Sequence, residues 1–242
     1  MKKLIVVKTG TTFPATKEKF GDFDKWTAEA LGSFDLDITI VDVELNDPLP
    51  TPDQCAGVTI TGSHAMVTDD LPWSLNIEKW ITELLKADVP IFGICYGHQL
   101  LARAAGGTVG YHPQGKEVGT VTIQLLNNHI DDPLFCDLPQ TFKVHATHAQ
   151  SVLRLPDAAV LLARNPYEAH HAFRIGKCAW GVQFHPEYSP KIMRSYIEHQ
   201  TDVLQKAGQN TNQLLTDVSE TPVATELYQK FGQLVLNRLK VE

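Results

Sequence analysis

The chain has 242 residues, enough for one α/β domain with a full core or for two small domains. A hydrophobic content of 43% and a charged content of 20% fall in the ordinary globular range, which excludes a disordered or collagen-like chain. The formal net charge of −7 argues against nonspecific nucleic-acid binding and supplies no basic patch for a membrane surface.

Leu4 to Val7 reads as a buried strand. The two lysines before it precede an apolar run of only four residues, too short for a secretory signal core, and no small-residue cleavage site follows. No apolar stretch reaches membrane-spanning length, so the expectation is a cytoplasmic protein without a membrane partner. Thr9 to Thr12 is a loop, Pro14 to Phe20 has no clear pattern, and Asp24 to Leu31 is helical, ended by Gly32. Ile38 to Val43 is a second strand. Pro48, Pro50 and Pro52 make a stiff connector. Gly57 to Ile60 is a third strand, running into Thr61-Gly62-Ser63-His64. A helix is predicted from about Ser74, as N-cap, to Lys86, with Leu75, Ile77, Trp80, Ile81, Leu84 and Leu85 keeping a 3.6-residue period.

Val89 to Ile94 is an apolar run that stops at Cys95, and a helical pattern starts at once and reaches Gly106-Gly107. Alternation of strands and helices to this point predicts a parallel sheet covered on both faces. Beyond Gly107 the pattern changes to short strands: Val118–Leu125, Phe142–His145, Ala159–Ala163, Ala172–Ile175 and Cys178–Phe184. Pro190 to Lys206 reads as one helix, Gly208 to Glu220 as a loop or linker, and Thr221 to Lys240 as a last amphipathic helix. No boundary for a second domain stands out. The prediction is one domain over 1–242, with a core of about 1–207 and a C-terminal helical extension over about 221–240.

Four cysteines occur, at 55, 95, 136 and 178, without a C-x-x-C pair, which removes zinc-ribbon and thioredoxin readings. Cysteine is too sparse for a disulfide scaffold, and reduced thiols fit the cytosol. Cys95 stands apart. In Gly93-Ile94-Cys95-Tyr96-Gly97 the layout Gly-x-Cys-x-Gly is the thiol form of a nucleophile elbow. A sharp strand-to-helix turn crowds the backbone, and residues without Cβ at 93 and 97 relieve it. The helix N-terminus would favour thiolate. The alternative is a buried structural cysteine before an ordinary helix.

A cysteine nucleophile needs a base and something to orient that base. Trp180-Gly181-Val182-Gln183-Phe184-His185-Pro186-Glu187 ends an apolar strand in His-Pro-Glu. Pro186 stops sheet pairing, so His185 falls at a strand end, as Cys95 does. Residues i and i+2 of an extended chain point the same way, which lets Glu187 reach the His185 ring. Taken alone, the pair also reads as an ordinary loop His and Glu.

Gly-x-Cys-Tyr-Gly-His-Gln-Leu-Leu at Cys95 and Gly-Val-Gln-Phe-His-Pro-Glu about 90 residues later together resemble the class I (triad) glutamine amidotransferase family. The likeness is greatest to free-standing proteins related to the glutaminase domain of GMP synthase, and covers about residues 36 to 200. It implies a three-layer α/β fold with a mostly parallel, flavodoxin-like central sheet and an added antiparallel portion. It also implies Cys95, His185 and Glu187 as catalytic residues. Tyr96 N–H and Gly62 would form the oxyanion hole, although many relatives carry Gly-Gly-Pro where this chain has Thr61-Gly62-Ser63. Gln99 would contact the amino-acid end of the substrate. The segment Val144 to Val152 resembles the family's Ser-His-x-x-x-Val stretch, which maps main-chain substrate contacts onto Ala149 and Gln150 and leaves His148 to packing or to support of the residues that touch substrate, not to catalysis.

The resemblance implies cleavage of a γ-glutamyl amide through a thioester on Cys95, with no cofactor and no metal. His145 with His148, and His170 with His171, lack carboxylates or cysteines at ligand spacing. The 55 residues after Glu187 are too few for an ATP-using synthetase domain. Three readings follow. Ammonia from glutamine passes to a separate synthetase chain; or the protein hydrolyses γ-glutamyl peptides on its own; or the fold binds a ligand or senses redox state without catalysis.

Overall fold

A β-branched run opens the chain as β1 (Lys3–Lys8), buried along nearly its whole length. The computed structural model describes residues 2–32 and 36–240. Two short helices follow, α1 (Pro14–Phe20) and α2 (Phe23–Leu31); Asp22 caps the second by accepting from the Phe23 N–H. Then come β2 (Ile38–Asp42), β3 (Cys55–Ile60), α3 (Pro72–Lys86), β4 (Ile91–Ile94) and α4 (Tyr96–Ala104). The second half holds β5 (Thr108–Tyr111), β6 (Glu117–Leu125), β7 (Thr141–His148), β8 (Gln150–Arg154), β9 (Ala159–Arg164), β10 (Ala172–Ile175) and β11 (Ala179–Val182). Four helices close the chain: α5 (Pro190–His199), α6 (Thr201–Lys206), α7 (Thr211–Asp217) and α8 (Pro222–Leu239).

Nine strands form one sheet in the order β2-β1-β3-β4-β11-β10-β9-β6-β7, and β5 pairs with β8 in a small second sheet. From β2 to β11 every pairing is parallel. From β11 outward every pairing is antiparallel. This is the flavodoxin-like α/β sheet with an antiparallel extension that the sequence implied. The parallel strands are apolar on both sides because helices cover both faces. On one face Phe92, Ile94 and Trp180 meet Leu227, Tyr228, Phe231 and Val235 of α8. On the other, Ile60 and Ile91 meet Ile77, Ile81 and Leu84 of α3 and Leu100 and Leu101 of α4. Each such buried side chain contributes roughly 1.5–3 kcal/mol of transfer free energy. A third cluster, around Phe23, Trp26, Tyr188 and Tyr196, seats α2 and α5 beside the carboxyl ends of the strands.

Helix α8 packs on the sheet, where the Tyr228 hydroxyl reaches Thr59 Oγ1 of β3 at 3.0 Å. Several local expectations are corrected. Helix α3 starts at Pro72 with Leu71 as N-cap, not at Ser74. Pro72 has its φ preset for the first turn, and the buried Ser74 hydroxyl instead accepts from Tyr96 Oη at 2.8 Å. The stretch predicted as a loop over Gly208–Glu220 holds α7, which Asn210 caps through its side chain onto the Gln213 N–H at 3.1 Å. The helix predicted over Pro190–Lys206 breaks at Gln200 into α5 and α6. The stretch Pro14–Phe20 is helical, and β5 and β8 lie where no strand was predicted.

Candidate active site

Three neighbouring parallel strands, β3, β4 and β11, end on the same side of the sheet, and the next residues of each converge. Cys95 follows β4 directly and joins it to α4 with φ 50° and ψ −94°, a conformation that costs about 1–3 kcal/mol for a residue with a side chain. The flanking glycines make the turn passable. A Cβ on Gly93 would lie 2.5 Å from Gly97 O, and one on Gly97 would lie 2.4 Å from Ile60 O. Both obstacles are backbone and cannot swing away. Gly97→Ala is expected to lower stability by about 1–3 kcal/mol, read from the denaturant midpoint at unchanged slope. The turn is tied to the sheet by Cys95 N–H to Val182 O at 2.8 Å, and to its own helix by Gln99 N–H to Cys95 O at 3.1 Å.

His185 lies three residues beyond β11, and its N–H donates to His145 O of β7 at 2.8 Å. Its Nδ1–H donates to Glu187 Oε1 at 2.7 Å. Both residues are buried, with 2% and 6% of their surface exposed. Burial by itself pushes the imidazole toward neutrality. The Glu187 carboxylate and the charge of Cys95 outweigh it and raise the pKa of His185 to about 10. The Tyr188 ring stacks on the imidazole at 4.0 Å, a face that also favours the cation. His185 Nε2 is buried and has no hydrogen-bond partner among the described residues. Cys95 Sγ lies 3.9 Å from Thr147 O.

Gly62 follows β3 and presses on both groups: a Cβ there would stand 2.8 Å from His185 Cε1 and 3.7 Å from Cys95 Cβ. Among the described residues, neither the Gly62 N–H nor the Tyr96 N–H donates to a protein acceptor. The Tyr96 ring points into the core, where its hydroxyl meets Ser74. Gln99, Ala149 and Gln150 line the same cavity of about 250 Å³ as Cys95 and His185. Gln99 Nε2 is already committed, donating to Gln150 O at 2.8 Å and to Gln183 Oε1 at 3.0 Å. Gln150 Nε2 donates to Thr68 Oγ1 at 2.6 Å. The Ala149 N–H has no protein acceptor among the described residues. Trp73 packs on Tyr96, and Tyr111 is exposed.

Sequence reasoning missed the rest of the cavity. Phe13, Phe23, Tyr188 and Tyr196 form an aromatic wall from four segments, with His64, Lys116 and Gln200 beside it. It also missed Glu117, a carboxylate 7% exposed at the start of β6. Glu117 Oε2 faces His148 Nε2 at 2.9 Å and His171 Nε2 at 3.2 Å, and its Oε1 accepts from Asn165 Nδ2 at 2.7 Å. Burial raises the Glu117 pKa, but the two histidines more than reverse this and hold it well below the usual carboxylate range. His148 Nδ1 faces Gln150 O at 3.0 Å. Both neighbours of the His148 ring, Glu117 Oε2 and Gln150 O, are acceptors. The sequence signal is faint: β6 pairs with β7 so that Glu117 stands opposite His148, a register no local pattern shows.

His145 Nδ1 meets Thr120 Oγ1 at 3.1 Å, and His170 Nδ1 donates to Val152 O at 2.6 Å. Among the described residues, no group of three or more His, Cys, Asp and Glu is arranged to hold a metal ion. No helix among them is long and apolar enough to cross a membrane.

The family model for glutamine amidotransferase class-I matches residues 18–202. The chain belongs to this family. A GMP synthase (glutamine-hydrolyzing) from Aeropyrum pernix is 37% identical over 143 residues, 59% of this chain but only 26% of that protein. A GMP synthase (glutamine-hydrolyzing) subunit from Methanopyrus kandleri is 31% identical over 158 residues, covering 63% of this chain and 80% of that one. Gamma-glutamyl peptidase 4 of Arabidopsis thaliana is 31% identical over 186 residues, 74% of this chain and 70% of that one. A glutamine amidotransferase from Thermotoga maritima has the same fold, with a TM-score of 0.75 over 98% of this chain and 99% of that one, at 21% identity.

Proposed function

We propose that the protein hydrolyses γ-glutamyl amides through a thioester on Cys95. The observation that supports this most is the placement of Cys95 in a strained strand-to-helix turn beside a buried His185–Glu187 pair, both opening on one cavity. Substrate enters with its γ-carbonyl at Cys95. The thiolate attacks, and the oxyanion takes the N–H groups of Tyr96 and Gly62, each such donor being worth roughly 3–4 kcal/mol in the transition state. His185, held as imidazolium by Glu187, gives its proton from Nε2 to the departing nitrogen as the C–N bond breaks. Water then attacks the thioester, His185 takes its proton back, and glutamate leaves. Gln99 Oε1 and the main chain of Ala149 and Gln150 hold the α-amino and α-carboxylate groups.

The same chemistry expels ammonia from glutamine or an amine from a γ-glutamyl peptide. Names among the relatives point both ways: the GMP synthase subunit of Methanopyrus kandleri implies a separate synthetase chain that takes ammonia, and gamma-glutamyl peptidase 4 implies free-standing hydrolysis. The free thiols of Cys55, Cys95, Cys136 and Cys178 suit a reducing compartment, and we assign the protein to the cytoplasm. A substrate profile across glutamine and γ-glutamyl peptides, with Cys95→Ala as control, tests the reading. Turnover that vanishes in the control supports it. A wild-type protein inert on every member and unmodified at Cys95 by a glutamine-like chloroketone is a binding protein instead.

A further inference from the structure

The reaction proposed above assigns the glutamyl end of the substrate to Gln99, Ala149 and Gln150. It leaves one cation in the cavity without a task. Lys116, half-buried just before β6, lines the cavity with Cys95. Its Nζ donates to Gln200 Oε1, and among the described residues no carboxylate pairs with it. Gln200 cannot turn to offer anything else, because its Nε2 is fixed on Tyr196 O at 2.9 Å. Other shielded cations of this chain are neutralised: Lys8 by Asp42 at 3.0 Å, Arg103 by Asp70 at 2.8 Å and Arg174 by Asp132 at 2.8 Å. A chain with a net charge of −7 thus leaves a positive charge unpaired at its candidate site. Partial burial lowers the pKa of Lys116, and the charge that opposes this is that of Cys95, which places the ammonium within electrostatic reach of the nucleophile.

The position of the ammonium says which part of a substrate it would meet. Gln200 ends α5, and Tyr196 of the same helix belongs to the aromatic wall, where its hydroxyl meets His64 Nε2 at 3.2 Å and Thr12 Oγ1 at 2.7 Å. Lys116 is thereby drawn toward α5, and the groups assigned to the glutamyl end come from α4 and the β7–β8 junction. Resting on the γ-glutamyl hydrolase reading, we propose that Lys116 binds a carboxylate carried by the leaving group, so that the substrate class is a γ-glutamyl amino acid or peptide with a free C-terminal carboxylate. The aromatic wall holds the apolar part of that leaving group, and the Lys116 ammonium holds its end. In the reaction the γ-carbonyl carbon bonds to Cys95 Sγ and its bond to the leaving nitrogen breaks. That nitrogen takes a proton from His185 and departs as the amine of a free amino acid or peptide. Water completes the cycle.

The test compares γ-glutamylglycine with γ-glutamylglycinamide, which differ only in the terminal carboxylate. For the wild-type protein kcat/KM is expected to favour the acid by roughly tenfold or more, the scale of one charge-assisted hydrogen bond. Lys116→Met is expected to bring that ratio close to one, and Lys116→Arg to retain part of it. Gln200→Glu, which supplies an internal carboxylate to the ammonium, is expected to erase it as well, giving a second variant that does not depend on how Lys116→Met folds. A wild-type ratio near one overturns the proposal. So does an equal loss on both compounds in Lys116→Met that leaves the ratio standing, since the lysine would then serve the α-carboxylate or the fold. Failure of the underlying reading looks different: neither compound nor glutamine is turned over, or Cys95→Ala turns them over as well as the wild type.

Discussion

Cys95→Ala is expected to lower γ-glutamyl amide turnover by about 10⁴-fold or more, measured as glutamate released under saturating substrate. Among the described residues no other thiol lines the cavity, and without Sγ there is no thioester, only direct attack by water. The companion result is a pH profile. The pKa of His185 is raised to about 10, so the imidazolium that protonates the leaving nitrogen persists well above neutrality. The rate is expected to hold on the alkaline side and to fall as pH passes about 10. Glu187→Gln removes the charge that holds the proton while preserving shape. Its alkaline limb is expected to move down toward the ordinary imidazole value of 6.5, with kcat reduced by roughly 10²–10⁴-fold. The linkage has a stability side. A group whose folded pKa is raised contributes fully below its unfolded value of 6.5 and loses that contribution as pH rises through about 10. Thermal unfolding across this range should show the loss in wild type and a smaller one in Glu187→Gln.

Glu117→Ala is expected to destabilise the fold by about 3–5 kcal/mol, because it leaves the buried side chains of His148, His171 and Asn165 without their shared hydrogen-bonding partner. For a chain of this length that corresponds to a fall in Tm of roughly 6–20 °C, readable by calorimetry. Glu117→Gln keeps an acceptor for one histidine and should cost less. The sign of the pH effect is the reverse of that at His185. The folded pKa of Glu117 is depressed, so its contribution is present above the usual carboxylate value of 4.5 and disappears as pH falls below it. The acid limb of the stability profile should therefore flatten in Glu117→Gln. Because His148 joins Glu117 to Gln150 O, the same variant should raise KM more than it lowers kcat. An equal loss in both, with unchanged Tm, would rule out this positioning role.

What could be read from the sequence shares one property: its cause is local. Gly93 announces the turn at Cys95 because the crowding it relieves, against Gly97 O, lies within four residues. The contact from His185 to Glu187 spans only two residues, although the backbone there is a turn, closed by Tyr188 N–H to His185 O at 3.4 Å, and not the extended chain expected. The parallel strands show as apolar runs because both faces are covered. Where the cause is distant, the sequence is silent. Glu117 acquires His148 through strand register and His171 from the bend just before β10. Lys116 and Gln200 meet across 84 residues, at a helix break that periodicity alone runs through. Elsewhere two local signals compete. Ser74 has the chemistry of a cap, but Pro72 starts the helix two residues earlier, and the polar stretch around Asn210 conceals the helix that Asn210 caps.

The hydrogen bonds from Cys95 N–H to Val182 O and from His185 N–H to His145 O are main-chain bonds that tie both residues to strands of the sheet, not contacts between side chains. The spacing of nucleophile and base is thus set by the stiffest part of the molecule. The aromatic wall and Gln200 belong instead to α2, α5 and the segments beside them, which pack in a separate cluster. Reaction and discrimination consequently occupy different mechanical parts. Substitutions in the helical wall can change which amine is expelled while the bond-breaking geometry stays as the ladder fixes it, and this lets one scaffold serve many leaving groups over evolutionary time.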